Sequence, residues 1–186
     1  DLSLHPLGGL QVEQLAIESG AGVSLRKIGD GAEPVSTSRL AVNVTGPGGI
    51  EIDNNVGGLL EIGIVNGING LQTSDLGSES DNIVVTNIGP MTVSADVVNN
   101  SGGSIILEAK ENPVGVAPAD FLIENGGSLV SGADVTINAG DNILIQQTAR
   151  IDATGSVTIN GDAGDADRGV GSQIELHGAI NATLVT

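Results

Sequence analysis

The loop at residues 161–171, GDAGDADRGVG, holds the densest group of acidic side chains in the sequence. Its Asp162, Asp165 and Asp167 lie among glycines, and a hard cation such as calcium prefers several oxygen ligands on a flexible backbone. The loop lacks a downstream glutamate to complete the ligand set, and Arg168 would neutralise one carboxylate. We predict Asp162, Asp165 and Asp167 as a candidate Ca²⁺ site, with a solvated turn as the alternative.

Outward-facing charged side chains are a second group of candidate functional residues. Paired carboxylic acids, for example, can cleave glycosidic bonds. The carboxyl-terminal half of the chain contains a 22-residue repeat, in which Asp152 corresponds to Val130. Neighbouring repeats therefore place no row of carboxylates at the position of Asp152. The sequence also has no Tyr or Trp to stack on a sugar. We expect no catalytic residues, and a polysaccharide-active enzyme remains an alternative. The side chains that such an enzyme would use are Glu108, Lys110, Asp134, Arg150, Asp152 and His177.

Composition and charge exclude several classes of protein. The 186 residues carry 23 Asp and Glu against 6 Lys and Arg, a net charge of −17, which argues against binding to nucleic acid or to an anionic membrane surface. No apolar run approaches the ~20 residues that span a bilayer. The chain has no Cys, and residues 1–4 carry no signal-peptide pattern, so we expect a mature product or an excised piece.

The core must be aliphatic, because Phe121 is the only aromatic residue in the sequence. The 29 glycines follow no triplet period, and the many Val and Ile residues argue against disorder. This composition indicates a turn-rich, all-β protein.

An internal repeat organises the carboxyl-terminal half. Residues 121–138 (FLIENGGSLVSGADVTIN) and residues 143–160 (ILIQQTARIDATGSVTIN) match without a gap at a shift of 22 residues, and Thr136 and Asn138 recur as Thr158 and Asn160. A fixed period of this length is typical of repeat proteins that stack one unit on the next. We take 121–160 as the clearest part of the repeat.

Each unit contains three short β-type runs, which in the second unit are ILIQ at 143–146, RIDA at 150–153 and VTIN at 157–160. Alternation places Val157 and Ile159 inward and Thr158 outward. Successive units at ~4.8 Å would then stack like residues in ladders. The predicted fold is therefore an all-β parallel β-helix, or β-solenoid, with about 22 residues and three short strands per coil.

The repeat continues in weaker form on both sides of 121–160. In the amino-terminal third the spacing is irregular and fixes no register. We predict a cap or degenerate coils over 1–39 and a solenoid over 40–186. A pair of calcium-stabilised β-sandwich domains is the alternative fold, and the ungapped repeat argues against it. The weaker runs are 40–44, 49–53, 59–64, 83–87, 91–95, 104–109, 173–178 and 179–183.

Two long insertions, 110–120 and 161–173, fall at the same corner of the repeat. If Ile143 and Ile145 point inward, Leu144 and its repeat partner Leu122 form an outward apolar stripe, which we expect the first insertion to cover. The chain ends on an apolar segment with no charged cap, so we expect that end to be continued by more protein or by another subunit.

The segment from residue 125 to residue 183, with its NGGSLVSGADVTINAGDNILIQQ pattern, resembles the repeat regions of large bacterial surface proteins of the haemagglutinin-like or adhesin type. The resemblance covers about residues 80–186. It implies a secreted, right-handed parallel β-helix within a longer polypeptide that acts in attachment, biofilm or surface architecture. The GGxGxDxUx nonapeptides that bind calcium in some relatives are lacking here.

These observations predict an extracellular, non-catalytic structural or adhesive segment. Its partners would be other copies of itself, flanking repeats of a longer chain, or a cell-surface or matrix glycan or protein, with neither nucleic acid nor membrane insertion. A self-assembling filament or surface-layer subunit, joined by strand contacts at its ends, is a close alternative.

Overall fold

The computed structural model describes residues 2–3, 9–27, 35–55, 57–74, 81–111, 118–164 and 172–186. Within these ranges the chain is all-β and contains no helix. The strands, numbered in chain order, form two large sheets and one small hairpin.

The first sheet has ten strands. They are β1 (Leu2–Ser3), β2 (Leu10–Gln11), β4 (Val23–Leu25), β5 (Val35–Ser36), β7 (Ile50–Asn54), β12 (Ile83–Ile88), β15 (Ile105–Lys110), β18 (Val135–Ala139), β21 (Ser156–Asn160) and β24 (Leu184–Val185).

The second sheet has twelve strands. They are β3 (Gln14–Ser19), β6 (Arg39–Val44), β8 (Leu60–Ile62), β11 (Leu71–Thr73), β13 (Met91–Val93), β14 (Asp96–Asn99), β16 (Phe121–Ile123), β17 (Ser128–Ser131), β19 (Ile143–Ile145), β20 (Arg150–Ala153), β22 (Ile174–Leu176) and β23 (Ala179–Asn181). The hairpin consists of β9 (Ile64–Val65) and β10 (Ile68–Asn69).

All pairings within the two large sheets are parallel, and neighbouring strands come from successive passes of the chain. The second sheet has two wings that meet at β6, whose residue Leu40 pairs with β8 while Val42 pairs with β11. We call β8, β13, β16, β19 and β22 the first wing, and β11, β14, β17, β20 and β23 the second wing. From β11 onward, the chain visits the second wing, the first sheet and the first wing in turn.

The predicted alignment of the two repeat units is confirmed. Thr136 pairs in parallel with Thr158, and the flanking Val135 and Ile137 pair with Val157 and Ile159. The other two strands of each unit are also in the predicted register, with Phe121 opposite Ile143 and Leu129 opposite Ile151. Stacked residues in this part of the chain are 22 positions apart.

Stacking continues into the amino-terminal half, where the sequence fixes no register. Asn54 and Asn87 meet across neighbouring strands although they are 33 positions apart, whereas Thr86 and Glu108 meet at 22. The long separation has a structural cause, because the hairpin β9–β10 and the connection before β12 lengthen that pass of the chain. Strand β3 pairs with β6 over six residues.

The core is a set of aliphatic ladders between the sheets. Strand residues alternate between buried and half-buried positions, so that Val135 and Ile137 are buried and Thr136 between them is not. Removing this apolar surface from water contributes ~25 cal/mol per Å². One ladder of the first sheet consists of Val23, Ile50, Ile83, Ile105, Val135 and Val157, all 0–2% exposed.

Two buried asparagine clusters lie at the strand ends of the amino-terminal half. In the first, the Asn54 side chain accepts from the Thr37 N–H at 2.9 Å and donates to the Asn87 Oδ1 at 2.8 Å. Asn87 in turn donates to the carbonyl oxygens of Gly58 and Pro90. A buried amide that makes all these bonds holds the chain at one position, since a shift of register would leave its polar atoms unpaired.

The second cluster centres on Asn99, which is 3% exposed. Its Oδ1 accepts from Thr73 Oγ1 at 2.8 Å and from Ser101 Oγ at 2.6 Å and N at 3.2 Å. Its Nδ2 donates to the carbonyl oxygens of Asp81 and Ser104 at 3.0 and 3.1 Å. Asn99 therefore ties one strand to the next and to the connection that leads into β15.

Candidate functional site

Only part of the predicted calcium site lies in the region that the structure describes. Asp162 is half-buried, has φ of 57°, and its backbone N–H donates to the Asp141 carbonyl oxygen at 3.3 Å. Its Oδ1 is buried and has no hydrogen-bond partner among the described residues. Asp165 and Asp167 lie outside the described residues, and the described ones contain no group of three or more His, Cys, Asp or Glu able to hold a metal ion.

Asp152 and Arg150 lie together on β20 and form an ion pair. As predicted, the strand neighbour of Asp152 on one side is Val130, and on the other side Asn181 donates to the Asp152 Oδ1 at 2.7 Å. Partial burial raises the pKa of Asp152, but hydrogen bonds from Arg150 and Asn181 and the Arg150 charge outweigh burial, so the pKa lies below its ordinary value. A carboxylate held charged in this way is poorly suited to act as a general acid.

The remaining candidates each make a local contact. Glu108 and Lys110, both on β15, are 3.2 Å apart, and His177 Nε2 lies 3.1 Å from Glu175. Asp134 Oδ1 accepts from the Ser156 N–H at 2.7 Å and so links one pass of the chain to the next. These groups belong to the first sheet, the two wings and their connections, and the structure does not collect them into one site.

The outward apolar stripe is confirmed, since Leu122 and Leu144 pair side by side and both are half-buried, while their strand neighbours are buried. They form part of the floor of a groove of about 370 Å³ on the first wing, together with Thr92. Thr92 is 7% exposed although it occupies an outward position beside Leu122. Of the insertion expected to cover this stripe, residues 112–117 lie outside the described part of the chain.

One rim of this groove is a ladder of polar side chains. Asp120 Oδ1 accepts from the Asn142 N–H at 3.1 Å and from its Nδ2 at 2.9 Å, and Asn142 Oδ1 accepts from the Gln173 N–H at 2.9 Å. Each side chain therefore binds the backbone of the following pass. The ladder therefore links the connections that precede β16, β19 and β22.

Glu61 is the centre of a charged cluster that sequence reasoning missed. It accepts from Arg39 at 2.5 Å and from Ser94 Oγ at 2.6 Å, across three neighbouring strands or their ends. Partial burial raises its pKa, but the hydrogen bonds from Ser94 and Arg39 and the Arg39 charge outweigh burial, so the pKa of Glu61 lies below its ordinary value. Arg39 and Glu61 are 22 positions apart, so the period of the repeat was the signal that could have revealed this pair. Ser94 lies 33 positions from Glu61, and no sequence signal places it there.

The final strands β22, β23 and β24, which we call the last rung, expose residues at core positions. Ile174 is 43% exposed, whereas its ladder partner Ile143 is 1% exposed. Val185 is 48% exposed and pairs with the fully buried Val157. Leu176 and Leu184 are also about half exposed, at 46% and 55%. The last rung presents an apolar end face, and no strand among the described residues pairs with its outer edges.

No model of a protein family matches the chain, and no curated protein or solved structure is significantly similar to it. Within the described residues, no helix is long and apolar enough to span a membrane.

Proposed function

We propose that the two sheets form a right-handed parallel β-helix whose three faces are the first sheet and the two wings of the second. Parallel pairing in register between successive passes supports this architecture, as does the order in which the chain visits the three faces. Each coil takes 22 residues in the repeat and more where a connection is inserted. The strands before residue 40 would be the first, less regular coils.

In this architecture the chain serves as an extracellular, non-catalytic structural or adhesive segment of a bacterial surface protein. The observation that carries this proposal is the unbroken aliphatic ladder from Val23 to Val157 in the first sheet. A continuous ladder makes a stiff body whose length grows with every coil. Its charged outer residues make local pairs and ladders, an arrangement that suits display rather than turnover.

Axial stacking can be measured directly with spin labels, because the chain has no native Cys. Ser24 and Thr158 occupy one outward ladder, five strand steps apart. In the doubly labelled variant Ser24→Cys/Thr158→Cys, electron–electron resonance should give a narrow distance distribution around ~24 Å between the labelled backbone positions. A broad distribution, or one centred far from this value, would contradict the proposed stacking.

The role in surface display is tested by placing the chain between a bacterial surface anchor and a reporter epitope. Antibody access to the epitope and attachment of the cells to a glycan- or protein-coated surface should exceed those given by the matched variant Ile137→Asp, whose buried charge breaks the core. The purified chain should cleave no polysaccharide. Turnover that Asp152→Asn abolishes would support the alternative enzymatic function instead.

The last rung favours a second candidate function, that of a subunit that binds another polypeptide through this end of the chain. Covering Ile174, Leu176, Leu184 and Val185 would bury apolar surface and pair free strand edges, and a second copy or a further stretch of polypeptide could supply the cover. Sedimentation of the purified chain should then show association that rises with concentration and disappears in Leu184→Lys. A chain that stays monomeric at high concentration would contradict docking between copies.

A further inference from the structure

The sequence contains four Asn-Gly pairs, Asn66-Gly67, Asn69-Gly70, Asn125-Gly126 and Asn160-Gly161. Such a pair can rearrange without an enzyme, because glycine has no side chain to hinder its backbone nitrogen. That nitrogen bonds to the asparagine Cγ and loses its proton, and the side-chain nitrogen leaves as ammonia. Water then opens the five-membered ring to give aspartate or isoaspartate. The reaction needs a free side-chain amide and a backbone that can bring the two groups together.

Asn66 meets both requirements. It is exposed, and its side chain makes no hydrogen bond to any residue that the structure describes. The neighbouring Gly67 lies in open space, with no atom within 4 Å of the position that a side chain would take. Its N–H makes no backbone hydrogen bond within the described ranges.

The turn itself adds mobility. Asn66 and Gly67 have φ of 50° and 83°, the pattern of a two-residue hairpin turn, and they join β9 to β10. Each of these strands is two residues long, and within the described ranges they pair with each other through two residue pairs. A hairpin of this size has little stability of its own, so its tip at Asn66 and Gly67 opens more easily than its base, where Asn69 and Gly70 are hydrogen-bonded to Asp96 and Gly63.

The other three pairs are held more firmly. Asn69 Nδ2 donates to Asp96 at 3.0 Å, and the Gly70 N–H donates to the Gly63 carbonyl oxygen at 3.0 Å. Asn160 Nδ2 donates to the Asn138 Oδ1 at 2.8 Å in an outward ladder.

Asn125 is intermediate between Asn66 and Asn69 in how firmly its side chain is held. It is exposed, but its Oδ1 accepts from both the N–H and the hydroxyl of Thr148 at 3.0 and 3.1 Å. Its side chain is therefore fixed to the following pass of the chain, unlike that of Asn66.

We propose that Asn66 is a site of spontaneous covalent modification, converting to aspartate and isoaspartate faster than the other three Asn-Gly pairs of the folded chain. The product carries a new carboxylate beside a cleft that Glu18 also lines. Isoaspartate also lengthens the main chain at the turn, so the two-residue connection no longer fits β9 to β10. Modification therefore loosens the hairpin while the parallel sheets remain paired.

The test is peptide mapping by mass spectrometry after incubation of the intact chain in mildly alkaline buffer. Conversion raises the mass of a peptide by about 1 Da, and isoaspartate is distinguished by its backbone fragments. In the folded chain, Asn66 should convert on the order of tenfold faster than Asn69, whose amide and glycine are both hydrogen-bonded. Asn125 and Asn160 should fall between them.

Two controls separate structure from sequence. In concentrated urea, where the fold is lost, the four pairs should convert at similar rates. In the folded variant Asn66→Gln, conversion at residue 66 should disappear while the other three rates stay unchanged. If Asn125 or Asn160 converts as fast as Asn66 in the folded chain, or if the order persists in urea, the proposal is wrong.

Discussion

Residues 121–160, the repeat region, and residues 35–99, the irregular region, stack their strands in the same parallel way but fix the register differently. In the repeat region the stacked residues are alike in type, such as Val135 on Val157. In the irregular region the spacing varies, and the clusters around Asn87 and Asn99 hold neighbouring passes together. An aliphatic ladder keeps its buried face after a slip of two residues, whereas a buried amide loses its partners after any slip, so irregular spacing calls for buried polar contacts.

The largest expected difference between the two regions follows from removing one asparagine side chain from each. Asn99→Ala should lower the free energy of unfolding by about 3–5 kcal/mol, because it opens a cavity and leaves the buried Thr73 hydroxyl and Ser101 N–H without their acceptor. The matched change Asn138→Ala, in the exposed ladder of the repeat region, should cost less than about 1 kcal/mol. Urea unfolding followed by circular dichroism measures both values. Equal losses would remove the distinction between the two regions.

A second pair of variants compares the repeat region with the last rung on a single ladder. Ile143→Ala should destabilise the chain by about 2–4 kcal/mol, since Ile143 is 1% exposed and the change leaves a cavity. Ile174→Ala, one step along the ladder and 43% exposed, should cost about 1 kcal/mol or less. The same unfolding experiment gives both numbers. A large loss for Ile174→Ala would mean that another molecule covers the last rung in solution.

The smallest expected effect is on how the stability of the folded chain depends on pH. Because the pKa of Glu61 is lower in the folded chain than its ordinary value of 4.5, its stabilisation is present above pH 4.5 and is lost as the pH falls through the folded value. The Glu61→Gln variant should therefore lose less stability on acidification than the unmodified chain does, by on the order of 1 kcal/mol or less. Thermal melts from neutral to acidic pH measure this difference. A pH profile that Glu61→Gln leaves unchanged would contradict this expectation.

The sequence was sufficient for the repeat region, because a period of 22 residues and alternating side chains determine both which residues stack and which face inward. The ladders of Thr136 with Thr158 and of Leu122 with Leu144 were predictable on this basis. The irregular region was not predictable in the same way. Its registers depend on connections of unequal length, and Asn87 takes an inward position in a column that also contains Ala109 and Ala139.

The hairpin β9–β10 had a signal in the sequence, since Asn-Gly between Val65 and Ile68 is a strong indicator of a tight turn. The run 59–64 reads as one strand, but the structure divides it between β8 and β9 at Gly63. The proposed calcium site, the extracellular location and the adhesive role remain predictions, because they concern residues or partners outside the described structure.

Within residues 121–160 the offset between stacked residues is a constant 22 positions, and this has a consequence for how the length of the chain can change. An in-frame duplication or deletion of one such unit leaves every remaining residue on its own face with a compatible neighbour above and below. A chain with one unit more or one unit fewer would therefore keep the same stacking and differ in length.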